Sequence, residues 1–181
     1  KSFRQRLSLE NAECEVEGAG LRVRCFISAD SDVLVMEVDD RRASPERLNV
    51  TVSMLRQPEV RAGENIATCT FGEDQSRIVL TQQFRERDYR NASAVAVGVA
   101  GNGAVSDQRS AASRTLVLPA EPKKQVIQIS SAAAWKPDAD VAGAAVALVN
   151  DAGSRAVGEQ RASHRRWWKE FWSRTCVKLK S

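Results

Sequence analysis

Apolar and polar residues alternate along most of the first 130 residues, as they do in short strands with one covered and one open face. Ten segments of this kind are predicted as strands: Phe3–Leu9, Glu13–Val16, Leu21–Ser28, Val33–Val38, Leu48–Leu55, Ile66–Phe71, Arg77–Phe84, Ala94–Ala100, Arg114–Leu118 and Gln125–Ser130. The segment Val33–Val38 is apolar at nearly every position, which predicts a central strand that is covered on both faces. Turn-forming Gly, Asn and Asp residues separate the segments without an intervening helical pattern. The pattern therefore predicts a mainly β fold built as an antiparallel β-sandwich.

The period of the pattern becomes helical after residue 131. Asp138 is the predicted N-cap of a first helix. Small and apolar residues then recur at helical spacing: Val141, Ala145, Leu148, Ala152 and Ala156. Gly153 and Gly158 indicate an interruption, after which a second helix is predicted over about 159–174.

The last residues alternate again, with Val177 and Leu179 between lysines, and this predicts a strand by which the chain leaves the second helix. The chain is therefore predicted as two parts, an antiparallel β-sandwich domain at 1–131 and a helical linker with its exit strand at 132–181. Its 181 residues are long enough to bury a core of ordinary size.

The segment from His164 to Arg174 contains three of the four tryptophans. On a helix Trp168, Phe171 and Trp172 form one stripe, and His164 extends it by a turn. Either the preceding sandwich or a following part of the protein must cover this stripe. We favour the second, in which the chain is an N-terminal piece of a larger protein. Interdomain packing is accordingly the role predicted for five side chains: His164, Trp167, Trp168, Phe171 and Trp172.

Positive charge is concentrated at one end of the chain. The sequence carries 27 Lys and Arg against 23 Asp and Glu, and residues 161–181 alone hold seven basic residues and one glutamate. The basic balance therefore describes the tail and does not indicate a nucleic-acid-binding domain. No apolar run approaches the ~20 residues of a membrane span. We predict no nucleic-acid partner and no membrane partner; the competing interpretation is a cationic tail that binds anionic surfaces.

The sequence contains no recognisable catalytic constellation. Its single histidine, His164, has no serine or cysteine nucleophile in a known context, and no phosphate-loop, dinucleotide or metal-ligand pattern is present. We therefore predict no catalytic residue, no metal and no cofactor in this chain. Trp135, which stands between alanines and a proline, has two interpretations. It stacks on a sugar ring, or it fills the joint between sandwich and linker, which we favour.

The four cysteines show no spacing typical of a zinc site. If Val16 pairs with Val23 in a hairpin, Cys14 lies opposite Cys25 on the same face. A strained cross-strand disulfide and two buried free thiols are both compatible with that pairing, and we favour the thiols.

The segment HRRWWKEFWSRTCVKL at 164–179 resembles the linker motif H-x-x-W-W-x-x-F-W-x-R-S-x-[IV]-x-L. That linker precedes the (α/α)6 barrel of bacterial glycoside hydrolases similar to α-L-fucosidases. The opening segments Phe3–Leu9 and Leu21–Asp39 resemble the first strands of their N-terminal β-sandwich, which is a supersandwich-like fold. The order of sandwich, linker and barrel extends the resemblance over the whole chain. Thr175 and Cys176 depart from the motif, in which a serine and a large residue are usual.

The resemblance implies a non-catalytic N-terminal accessory domain of a multidomain carbohydrate-active enzyme. The implied partner is a C-terminal (α/α)6 catalytic domain of the same protein, which holds the catalytic acid and base and acts on a carbohydrate. A secreted or periplasmic location is expected for such an enzyme. The alternative is a stand-alone β-sandwich that binds carbohydrate or another protein.

Overall fold

The computed structural model describes residues 3–55, 57–72, 76–100, 104–105, 110, 112–121, 124–136 and 138–175. Within these ranges the strands are β1 (Phe3–Ser8), β2 (Glu13–Gly18), β3 (Leu21–Ile27), β4 (Val33–Asp40), β5 (Leu48–Ser53), β6 (Glu59–Ala62), β7 (Asn65–Phe71), β8 (Arg77–Glu86), β9 (Tyr89–Ala100), β10 (Ala104–Val105), β11 (Ser113–Leu118) and β12 (Gln125–Ala134). The helices are α1 (Val141–Ser154) and α2 (Val157–Thr175). The predicted exit strand around Val177 and Leu179 lies outside the described residues.

Nine of these strands form one antiparallel sheet in the order β1-β2-β3-β4-β12-β9-β8-β7-β6, and three form a second in the order β10-β11-β5. The fold is mainly β with C-terminal helices, as the alternation predicts. All ten predicted segments are strands with shifted ends, and β12 continues to Ala134, beyond the expected domain boundary. Two strands were not predicted, because β6 has only four residues, all of them exposed, and β10 has only two, so both are too short for an alternating pattern to indicate a strand.

Alternate residues of the large sheet face two different layers. One face packs against the small sheet in a cluster of buried residues: Val38, Ile78, Val97, Leu116, Leu118 and Ile127. The other face packs against α1 in a second cluster: Val79, Ala92, Ala94, Ala96, Val141, Ala145 and Val149. Ile78 and Val79 are neighbours in the chain and belong to opposite faces, as the two-residue period of a strand requires. The two sheets therefore form the sandwich, and α1 adds a third layer.

The strand β4 lies between β3 and β12 in the large sheet. Val33 and Val35 are buried in a cluster that also contains Ala152 of α1. Val38 is buried on the opposite face, in the cluster shared with the small sheet. The prediction of a central strand that is covered on both faces is confirmed.

The helix α1 packs closely on β9 and β12. A Cβ atom added to Gly98 of β9 would lie 2.6 Å from Cγ1 of Val149, so only a glycine permits the observed approach. On β12, Ser130 Oγ donates a buried hydrogen bond of 2.6 Å to the carbonyl oxygen of Ala145. The small residues at helical spacing thus bring the helix close to the sheet.

The helix boundaries differ from those predicted. The first helix begins after Asp140, whose carboxylate accepts a hydrogen bond of 2.7 Å from the amide of Gly143. The predicted N-cap, Asp138, is wrong, because the side chain that reaches an unpaired amide of the first turn belongs to the later aspartate. The predicted interruption is present, with the break at Arg155, whereas Gly158 lies in the first turn of α2.

The hairpin of β2 and β3 has the predicted register. Val16 pairs with Val23, and Cys14 pairs with Cys25. Both thiols are free, as favoured, but they are half-buried and not fully buried. The reason is that the small sheet packs further along the large sheet, over β4, β12, β9 and β8.

Candidate interdomain surface on the second helix

The helix α2 folds back on the edge of the large sheet. His164 is only 1% exposed, and its ring packs on Phe26 of β3 with centroids 4.9 Å apart. Its Nε2 donates a hydrogen bond of 2.9 Å to the carbonyl oxygen of Asn11, and since a carbonyl only accepts, the proton is on this nitrogen. Nδ1 is buried without a hydrogen-bond partner among the described residues. The histidine therefore anchors α2 to the connection between β1 and β2.

Two further contacts hold α2 against the same connection. Trp172 Nε1 donates a hydrogen bond of 2.9 Å to the carbonyl oxygen of Leu9. Arg165 donates to both carboxylate oxygens of Glu13, at 2.5 and 2.7 Å. The paired carboxylate raises the pKa of Arg165, so the guanidinium is charged at any physiological pH. The orientation of α2 on the sheet is thus determined by several contacts along the helix.

The aromatic side chains of α2 lie on two sides of the helix. Trp168 and Trp172 are half-buried on the side that carries His164. Trp167 and Phe171 remain 43% and 37% exposed, and their rings stack 5.5 Å apart at an angle of 9°. Both rings of this exposed stack also contact Trp168 edge-on, at 5.0 and 5.2 Å. The preceding sandwich therefore covers the side with His164, Trp168 and Trp172, and for Trp167 and Phe171 interdomain packing stays a prediction.

Beside α2, oppositely charged side chains alternate across the strands β1 to β4. The register aligns Arg6, Glu15, Arg24 and Glu37 in one row. Hydrogen bonds from arginines, that of Arg24 first, lower the pKa of Glu15. From α2, Arg161 reaches Glu37 at 3.4 Å and so joins the row. Opposite charges directly across strands favour this register, so the row has a structural role that needs no ligand.

Trp135 directly follows β12 and is 75% exposed. It does not fill a joint between sheet and helices, so the favoured interpretation of this residue is wrong. An open groove of about 210 Å³ is lined by the next residue, Lys136, and by Gln83, Arg85 and Asn91 among others. Trp135 itself is not among the residues that line this groove. Sugar stacking by Trp135 stays a prediction.

The residues on which α2 rests were missed by sequence reasoning. Leu9 and Asn11 contribute backbone carbonyl oxygens, which carry no sequence signal, and Glu13 is one of many glutamates. The spacing of Arg161 and Arg165, four apart on one helical face, is the signal that points to paired carboxylates on the sheet.

Among the described residues, no group of three or more His, Cys, Asp or Glu side chains is placed to hold a metal ion. No helix in that part of the chain is long and apolar enough to cross a membrane.

No protein-family model matches this chain, and no curated protein matches it. Among solved structures it is similar to one described as "Putative kojibiose phosphorylase from human microbiome", with a TM-score of 0.58 and 8% sequence identity. The match covers 94% of this chain and 23% of that protein, so the chain spans about a quarter of its length. The likeness shows a shared fold that occurs within a carbohydrate-active enzyme, and it supports nothing specific to fucosidases.

Proposed function

We propose that this chain is the non-catalytic N-terminal accessory domain of a multidomain carbohydrate-active enzyme. In this proposal α2 packs against a C-terminal (α/α)6 catalytic domain of the same protein. The fold likeness supports the proposal, because the matching part is 23% of a protein named as a kojibiose phosphorylase. The resemblance of the linker motif makes the proposal more specific: the enzyme is a fucosidase-like glycoside hydrolase, and it is secreted or periplasmic.

The observation that carries the proposal is the exposed stack of Trp167 and Phe171. One side of α2 is already held by the sheet, so these rings have a defined position and direction. Covering the exposed 43% of Trp167 removes about 80–100 Å² from water, worth ~2 kcal/mol at about 25 cal/mol per Å². A rigid helix that presents two adjacent aromatic rings is suited to the core of an interface.

The test uses the purified chain and a hydrophobic dye. We expect dye binding or self-association, because an uncovered aromatic face behaves in this way. The double variant Trp167→Ser/Phe171→Ser should abolish both effects. Trp135→Ser is the matched control, since it removes an exposed tryptophan outside α2 and should leave both unchanged. A monomeric chain that binds no dye contradicts the proposed interface.

The second candidate is a stand-alone β-sandwich that binds carbohydrate or another protein. Of these two ligands, the exposure of Trp135 favours carbohydrate. Here the roles of the variants reverse. Affinity electrophoresis in gels that contain soluble polysaccharides should show retardation that Trp135→Ser removes and Trp167→Ser/Phe171→Ser does not. Absence of retardation with every polysaccharide would count against this candidate and leave the first unaffected.

A further inference from the structure

Outside α2, the β2–β3 hairpin places two thiols directly opposite each other, at positions where they can react together. Cys14 and Cys25 are direct partners in the antiparallel register, and neither is linked to another cysteine. Directly opposed residues of antiparallel strands have Cα atoms about 4.5–5.5 Å apart. A disulfide spans Cα separations of about 4.4–6.8 Å, so the register already provides the distance that the bond requires.

The thiols lie on a part of the large sheet that is open to small reagents. Leu7 is the partner of Cys14 on the other side, and it is 65% exposed. Ile27, two residues beyond Cys25 on the same face, is also 65% exposed. Gln5 contacts the sulfur of Cys14, with its Nε2 at 3.9 Å. A small disulfide or peroxide therefore has access to this pair from the solvent.

We propose that Cys14 and Cys25 are a reversible oxidation site, at which a small-molecule disulfide such as oxidised glutathione converts the two thiols to a cross-strand disulfide. The thiolate of Cys14 attacks one sulfur of oxidised glutathione, forms a mixed disulfide and releases one glutathione thiolate. The sulfur of Cys25 then attacks Sγ of Cys14, and a second glutathione leaves. The protein loses two electrons and two protons, which the two released glutathione molecules carry away.

The electrostatic surroundings give this reaction a pH dependence. Burial is the main cause that raises the pKa of Cys25 above its usual range; the thiol of Cys14 adds to the rise only until the first step consumes it. Because the thiolate is the attacking form, the second step is expected to be slow at pH 7 and faster toward pH 9. The site is therefore suited to equilibrate with the redox state of its surroundings over minutes to hours.

The experiment follows the two thiols in the folded chain. In a Cys69→Ser/Cys176→Ser background, incubation with oxidised glutathione should remove both free thiols and lower the mass by two hydrogens. Peptide mapping should show a link between residues 14 and 25, and dithiothreitol should restore both thiols. The same mapping on the unsubstituted chain gives the result without relying on the variants. Free thiols that persist, or glutathione adducts without the internal link, overturn the proposal.

Two controls test whether the disulfide forms because the strands pair in this register or only because the two cysteines are close in sequence. The variant Cys25→Ser in the same background should stop at a glutathione adduct on Cys14. In urea, where the hairpin register is lost, the equilibrium constant for the internal bond against the same ratio of oxidised to reduced glutathione should fall by at least about tenfold, because strand pairing no longer holds the sulfurs together. Equal equilibrium constants in the folded and unfolded chain would show that the fold does not build the site, and would likewise overturn the proposal.

Discussion

Gly98 shows how a single residue determines the distance between α1 and the sheet. A Cβ atom at this position would lie 2.6 Å from Cγ1 of Val149, which is itself 4% exposed and has little room to move. We expect Gly98→Ala to lower the free energy of unfolding by about 1–3 kcal/mol, because the helix must shift or the valine must leave its rotamer. Urea denaturation followed by circular dichroism measures the change.

The matched control for this substitution is Gly158→Ala in α2. A Cβ atom there has nothing within 4 Å, and alanine favours a helix by up to ~1 kcal/mol relative to glycine. The control should therefore be neutral or slightly more stable. If both variants lose the same stability, close packing at Gly98 is not the cause.

Other single residues show which local features the sequence predicts well. The pairing of Cys14 with Cys25 follows from the hairpin alone, because one register fixes every partner along two short strands. The N-cap is harder, since Asp138 and Asp140 are equally suitable residue types. The start of α1 depends on Val141, which is 5% exposed and packs on the sheet, so tertiary contact decides between the two aspartates.

At the scale of elements, His164 provides the test of how α2 is attached. Its ring is buried against Phe26, and its Nε2 bonds the carbonyl oxygen of Asn11. We expect His164→Ala to lower the free energy of unfolding by about 2–4 kcal/mol, through the cavity and the unpaired carbonyl that remain. Thermal or chemical unfolding monitored by tryptophan fluorescence reports this, because Trp168 and Trp172 lie on the same side of the helix.

The control for α2 is Arg166→Ala, on the same helix but exposed to solvent. Exposed charges contribute about 0–1 kcal/mol, so this variant should hardly change the unfolding midpoint. If His164→Ala is equally mild, the helix is not held on the sheet by its buried histidine.

The elements themselves were largely predictable, and their assembly was not. Strand alternation identified ten strands, whereas β6 has only four residues, all exposed, and is too short for its alternation to indicate a strand. Helical spacing identified the aromatic stripe on α2, but spacing alone does not tell which neighbour covers it. The sheet covers the side with His164 because the β1–β2 connection offers backbone acceptors there, and this leaves Trp167 and Phe171 open.

At the scale of the molecule, α1 packs on the second face of the large sheet and forms a third layer of the sandwich. The cause is the second face of the large sheet, where Val33, Val35 and Ala96 are wholly buried and need a cover. The apolar run in β4 predicts that both of its faces are covered, but it carries no information on what covers them. The small residues of α1 provide that cover at short range.

The charge of the α2 segment permits a last prediction about partners. Arg165 is paired with Glu13, Arg174 with Glu170 and Arg161 with Glu37, so part of the apparent positive charge is already compensated within the protein.

We therefore expect only weak, non-specific attraction in titrations against duplex DNA and anionic vesicles at low and at physiological salt. The competing interpretation, a cationic surface-binding tail, requires tight binding at low salt that falls steeply as salt rises. It also requires Arg166→Ala/Lys169→Ala to abolish that binding, since these two exposed cations do not belong to the ion pairs named above. Tight binding that falls steeply with salt and is lost in this variant would contradict our expectation. It would show that an anionic partner binds the exposed side of α2.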